Sequence, residues 1–221
     1  MADEDKLVKA GVEAALKPFA DLLEKLAGPA AEEIGLTLKD HVRVFRLKRQ
    51  IRLFERVRAM LAESGVSAKR VPLKLLEPII EAASVEEDDT LQDKWAALLT
   101  NCAINSYSVH PSFIEILREL SVVDVVFLDV IYDRSKRSRK RNDKTLYSEI
   151  AQRLRDNAKR QKVRFVAFKL TRAVVESNLI RLGLVENVAS ELEYPRYTLT
   201  NFGHHFVSAC KAKEKEKPTN P

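Results

Sequence analysis

The chain is poor in the residues that usually announce a chemistry. It has two cysteines, Cys102 and Cys210, in 221 residues and no CxxC pair, which excludes a secreted disulfide framework and leaves both as reduced packing residues. Its four histidines, His41, His110, His204 and His205, stand at no metal-ligand spacing from an acid or a cysteine, so no metal and no cofactor are expected. Nowhere do apolar residues run for about 18 positions, the minimum for a spanning helix. No charged-then-apolar leader with a small-residue cleavage site opens the sequence. A soluble, cytoplasmic protein without a transmembrane segment is the expectation. The six glycines and eight prolines gather into no Gly/Ser-rich or Pro-rich stretch, so no flexible linker divides the chain.

What is present is a core. Hydrophobic residues make up 45% of the chain, enough for a packed globular protein. The densest apolar stretch runs from Leu91 to Ile131. Leu91, Trp95, Leu98 and Cys102 fall at offsets of one helical stripe, while Val122 to Ile131 is apolar on nearly every side. The first predicts a core-facing helix and the second a buried one.

Helical patterns fill the first half. Residues 5–27 read as an amphipathic helix kinked at Pro18, and Gly28-Pro29 ends it and begins the next. Residues 36–61 carry Val44, Leu47, Ile51, Phe54 and Leu61 at spacings of three and four, with eight cations against two acids. Such a basic amphipathic helix can lie on an anionic membrane, or bury its stripe and leave its cations in water. Gly65 ends it. Pro72 opens a shorter helix holding Leu75, Leu76, Ile79 and Ile80, with a kink expected at Pro78. Ser84 with Glu87 has the form of a capping box, and Glu86 to Asp89 place negative charge where a helix N-terminus favours it. Caps account for these acids, together with Asp93, and no basic or nucleophilic partner accompanies them in sequence. No catalytic residue is assigned, and no enzyme is expected. Asn101 to Ser108 reads as a polar turn. His110-Pro111-Ser112 starts the helix of Phe113, Ile116, Leu117 and Leu120, and Ser121 with Asp124 forms a second capping box opening the buried helix to Tyr132.

Four runs carry a resemblance. They are Gly28-Pro29-Ala30-Ala31-Glu32-Glu33-Ile34-Gly35, Val71-Pro72-Leu73-Lys74-Leu75-Leu76 with Pro78, Trp95-Ala96-Ala97-Leu98-Leu99, and His110-Pro111-Ser112-Phe113-Ile114-Glu115-Ile116-Leu117. Together they resemble the bacterial abortive infection alpha family over most of residues 5–210. Membership implies an antiviral role, defence against bacteriophages, and brings no agreed catalytic residue or cofactor. The matching positions are mostly apolar, capping or proline residues, so what they specify is fold.

The last third has an order of its own. A helix from Thr145 to about Asn157 and a long one from about Val163 to Leu182 precede Gly183. Leu184–Ala189 and Tyr194–Leu199 read as short strands, and Thr200 caps a final helix holding Phe202, Phe206 and Val207. This order resembles a winged helix-turn-helix domain, particularly Leu179 to Val185 and Tyr197 to Gly203. The fold expected is therefore mainly α. A multi-helix N-terminal bundle over residues 1–120 packs on a winged-helix-like module over 121–210 with a small two-stranded ribbon, and residues 211–221 form a disordered charged tail.

Charge is uneven along the chain. Between Arg134 and Arg172 stand 15 Lys and Arg against three acids, a local +12 within a total of +6. Clustered cations gain from counterion release on a phosphate backbone. The candidate nucleic-acid-binding residues are Arg134, Lys136, Arg137, Arg139, Lys140, Arg141 and Lys144 in a basic linker. Arg155, Lys159, Arg160, Lys162, Arg164, Lys169 and Arg172 follow around the recognition-helix position. Glu191 and Glu193, in the turn between the strands, would repel phosphate. The candidate partners are DNA or RNA, or else a protein, a second copy of the chain included. The expected function is a non-enzymatic phage-defence protein that binds nucleic acid through its basic module. Alternatives are a protein-interaction or self-associating adaptor of a defence system, and a membrane-surface effector acting through helix 36–61.

Overall fold

A computed structural model describes residues 20–28, 44–136, 146–160, 172–188 and 197–212. Among the described residues the chain is mainly helical, with one two-stranded antiparallel ribbon. They fall into two compact units. The first holds the described parts of Met1–Asp88, Gln92–Glu115 and Ala209–Pro221; the second holds Asp89–Leu91 and those of Ile116–Ser208.

In the first unit, α1 (Ala20–Ala27) and α2 (Val44–Ser64) both pack on α3 (Leu73–Val85). The stripe expected along α2 is buried through Leu47, Phe54 and Leu61, and Leu53 and Val57 join it. Ile51 of the same stripe is half-buried, so most of its described part is spent on protein packing. Gly65 ends α2 with φ at +68°, a left-handed conformation that glycine adopts without strain. Pro72 stands at the N-cap of α3, and the helix passes through Pro78 without ending. The donor that Pro78 lacks would have served the carbonyl of Lys74 on an exposed turn, where water can replace it. The kink expected there does not terminate the element.

Helix α4 (Asp89–Ile104) carries the tryptophan stripe, and Trp95, Leu98 and Cys102 are all buried. Two sequence expectations change here. Ser84 is not an N-cap: it lies in the last turn of α3, where its hydroxyl donates to the Glu81 carbonyl at 2.7 Å. Glu86, the C-cap residue of α3, orders the connection to α4, its carboxylate accepting the N–H groups of Glu87 and Asp88 at 2.8 and 2.9 Å. Asn101, read as the start of a polar turn, is a buried residue inside α4. The turn begins at Asn105, which caps a 3-10 segment at Ser106–Ser108.

Helix α5 (Ser112–Glu119) opens where expected, with His110 Nδ1 accepting from the Ser112 N–H at 3.2 Å. In the second unit, α6 (Val122–Lys136) begins on the reciprocal capping box. The Ser121 N–H donates to Asp124 Oδ2 at 2.8 Å, and the Asp124 N–H donates to Ser121 Oγ at 3.3 Å. The helix runs on to Lys136, so the first cations assigned to the basic linker are helical. Helix α7 (Leu146–Arg160) packs on α6 through Leu146, Ile150 and Leu154, one stripe at spacings of four. Of the helix expected over residues 163–182, the described part is α8 (Arg172–Arg181), closed by Gly183 with φ at +67°.

Strands β1 (Val185–Asn187) and β2 (Tyr197–Leu199) pair antiparallel, Val185 opposite Leu199. Helix α9 (Asn201–Ala209) follows, its start capped by Thr200 Oγ1, which accepts the Gly203 N–H at 2.9 Å. The inter-strand turn with Glu191 and Glu193, and the tail beyond residue 212, lie outside the described residues.

Candidate functional site

Of the cations proposed to meet phosphate, Arg137, Arg139, Lys140, Arg141, Lys144, Lys162, Arg164 and Lys169 lie outside the described residues. Arg160 is the last residue of α7. The five that remain separate into two kinds. Arg134 is mostly buried, its side chain 11% exposed, with Nη1 3.6 Å from Glu149. The same carboxylate takes Arg153 at 3.4 Å, and Arg153 also meets Asp133 at 3.0 Å. These charges tie α6 to α7 and are matched within the fold. Lys136, Arg155 and Lys159 are exposed. Arg155 and Lys159, four residues apart, share the outer face of α7 opposite its apolar stripe, and Lys136 Nζ sits 4.5 Å from the centre of the Tyr132 ring.

Arg172 belongs to the matched kind. Its Nε donates to Glu176 Oε1 at 2.8 Å, its Nη2 donates to the Tyr147 hydroxyl at 2.7 Å, and its guanidinium stacks 3.7 Å from the centre of the Tyr147 ring. The Tyr147 hydroxyl in turn donates to Glu176 at 2.8 Å. Tyr197 of β2 shares this carboxylate, and its ring packs edge-on against Phe127 of α6 at 5.7 Å. The cluster therefore fastens α7, α8 and the ribbon to one partly buried glutamate. Burial, then the hydrogen bond to Glu176, then the charge of Glu176 raise both phenols. Tyr197 is pushed up to about 12 and Tyr147 higher still. Sequence alone offers the Arg172–Glu176 pair, since opposite charges at i,i+4 face each other on a helix. It offers no sign of the two tyrosines, which come from other elements.

The acids of residues 86–93 do have basic partners, contrary to the reading from sequence. Arg49 Nη2 is 2.8 Å from Glu87, and Arg56 Nε is 3.0 Å from Asp93. Gln92 between them is buried and donates to the carbonyls of Ala83 and Glu86 at 2.6 and 3.1 Å. These contacts join α2 and the end of α3 to the start of α4, and they turn the carboxylates toward arginine. Among the described residues no three His, Cys, Asp or Glu side chains gather as a metal site. Cys102 is buried and burial pushes its thiol up to about 12, far from a reactive thiolate. No helix among the described residues is long and apolar enough to cross a membrane.

A family model described as abortive infection alpha matches residues 42–210 of the chain. The runs at Val71–Leu76, Trp95–Leu99 and His110–Leu117 lie inside that span, and Gly28–Gly35 lies outside it. No curated protein and no solved structure matches the chain.

Proposed function

The chain belongs to the abortive infection alpha family, and we propose that it serves phage defence without enzymatic chemistry, by binding the phosphate backbone of nucleic acid through its second unit. The observation that carries this reading is the local charge of +12 between Arg134 and Arg172 in a chain of +6. Such an excess is what counterion release on a polyanion rewards. Lys136, Arg155 and Lys159 are its outward-facing members among the described residues, and Arg137 to Lys144 continue directly from Lys136. The order of helices, ribbon and closing helix resembles that of a winged helix, in which phosphate contacts fix register.

Direct base reading is not part of the proposal. The outward face of α8, the helix that reads bases in a winged-helix arrangement, presents Val174 at 70% exposure and Ile180 at 45%. Arg181 on the same face is engaged by Glu119 and by Asn178 at 2.8 Å. This face favours a second reading, in which α8 docks a protein and the basic segment steers it.

One experiment separates the two. Retention of short duplex DNA and RNA is measured against salt, and the log–log slope reports about 0.9 per phosphate contacted on B-DNA. Replacing Arg137, Arg139, Lys140 and Arg141 by alanine is expected to weaken binding alike on every sequence and to flatten the slope. Absence of binding by the wild-type protein at low salt refutes the nucleic-acid reading. Val174→Asp and Ile180→Asp then test protein docking.

A further inference from the structure

We propose that the outward stripe of α9, Asn201, His204, His205 and Ser208, is a second phosphate-contacting surface, continuous with Lys136. The inference rests on the nucleic-acid reading above and adds residues that the basic segment does not contain.

The four residues stand at offsets 0, 3, 4 and 7, one face of a helix. Asn201, His205 and Ser208 are exposed and His204 is partly so, while Gly203, Phe206 and Val207 between them are buried. The helix is thus amphipathic in an unusual sense, because its wet face carries hydrogen-bonding groups and no charged pair. Solvated helix faces elsewhere in this chain mix acids with cations, as on α2 and α7. From Tyr194 to Lys213 there is not one acid, in a chain with 32 of them. A carboxylate-free row of amide, imidazole and hydroxyl groups is suited to phosphate oxygens. Each of these side chains carries a donor, imidazole in either protonation state, and Ser, Asn and main-chain groups supply much of the phosphate contact in nucleic-acid complexes.

Placement makes the link to Lys136. The Tyr132 ring, near the end of α6, has the His204 ring against it at 5.8 Å and Lys136 Nζ at 4.5 Å. The cation at the end of α6 and an imidazole of α9 therefore contact the same aromatic ring. A cation over a ring is positioned but not neutralised, so Lys136 keeps its charge for an anion that also reaches the α9 stripe. In sequence, Arg137–Lys144 follow Lys136 directly. Because the donors are uncharged amide and hydroxyl groups at Asn201 and Ser208, they add hydrogen bonds to phosphate without adding to the net charge that revealed the first surface.

The test uses the full chain and a short duplex DNA of arbitrary sequence. The triple variant Asn201→Ala/His205→Ala/Ser208→Ala is expected to bind at least about tenfold more weakly, the worth of one hydrogen bond to a charged group, with an unchanged thermal midpoint because all three side chains are exposed. His204→Phe keeps a ring against Tyr132 and removes the donor, and is expected to weaken binding in the same direction. His205→Lys is expected to tighten binding and to steepen the salt slope by about one. Wild-type affinity in the triple variant, with no gain from His205→Lys, overturns the inference and leaves the nucleic-acid reading standing. If the wild-type protein does not bind at low salt, both fall.

Discussion

The side-chain amide of Asn101, in the last turn of α4, donates to the backbone carbonyl of Ala209, the last residue of α9, at 2.8 Å. The same nitrogen reaches the Lys211 carbonyl at 2.9 Å. A helix leaves its final carbonyls without partners, and here a residue 108 positions away supplies them. Asn101 thus acts as a C-terminal cap delivered by tertiary structure. Asn101→Ala is expected to destabilise the protein by about 1–3 kcal/mol, the cost of stranding buried acceptors. Asn101→Asp, nearly the same shape, should cost more, since it turns oxygens toward oxygens in a buried site. Urea unfolding of the two variants decides this; an aspartate variant as stable as wild type would show that the cap contributes little.

Gly203 provides a contrast between two glycines. A Cβ placed there would fall onto the carbonyl oxygen and carbon of Leu184, both backbone atoms, whereas one at Gly65 would meet open space. Gly203→Ala should therefore cost more than about 3 kcal/mol, above the usual range for overpacking because backbone has to move. Gly65→Ala should cost only about 1–2 kcal/mol, from its left-handed conformation. Thermal unfolding orders the pair, and equal midpoints would contradict the close approach of α9 to Leu184.

Alkaline pH should act through the tyrosine cluster. Tyr197, raised to about 12 in the folded state by burial and then by Glu176, has an unfolded value near 10. A group whose folded pKa is raised contributes stability that is fully present below the unfolded pKa and is lost as pH climbs through the folded one. Stability should thus decline between about pH 10 and 12, with Tyr147 extending the effect upward. Phenolate absorbance followed alongside circular dichroism should show these two rings ionising only as the second unit opens. Early ionisation of either ring in the folded protein would mean that Glu176 is not shared as described. Tyr197→Phe should make the alkaline decline shallower.

The described cations should separate by experiment as they do in space. Arg172→Ala is expected to lower stability by about 1–2 kcal/mol, because it removes hydrogen bonds to Glu176 and Tyr147. Lys136→Ala and Lys159→Ala should leave stability within about 0.5 kcal/mol, as is usual for exposed positions, and each should reduce the salt slope of nucleic-acid binding by about one. Denaturant curves and salt titrations on the same three proteins check both halves. A neutral Arg172→Ala with a large loss of binding would place Arg172 at the interface instead.

Whatever depends on spacing within one element is legible in the residues alone. The stripe of α2, the helix opened by Pro72, the tryptophan stripe of α4, the Ser121–Asp124 box, the glycine stop at Gly183 and the Thr200 cap are all set by neighbours within about four residues along the chain. The concentration of positive charge between Arg134 and Arg172 was legible for the same reason, being a sum over a local segment. Tertiary structure decided the rest. Ser84 has the spacing of a cap, yet it closes one helix rather than opening the next. Asn101 looks like a turn residue until the carbonyls of Ala209 and Lys211 arrive to accept from its amide nitrogen. Arg134 and Arg172 count as cations in any local sum, while Glu149 and Glu176 already hold them. A polar side chain is stable in the interior or free at the surface according to which distant partner packs beside it, and spacing along the chain carries no information about that partner.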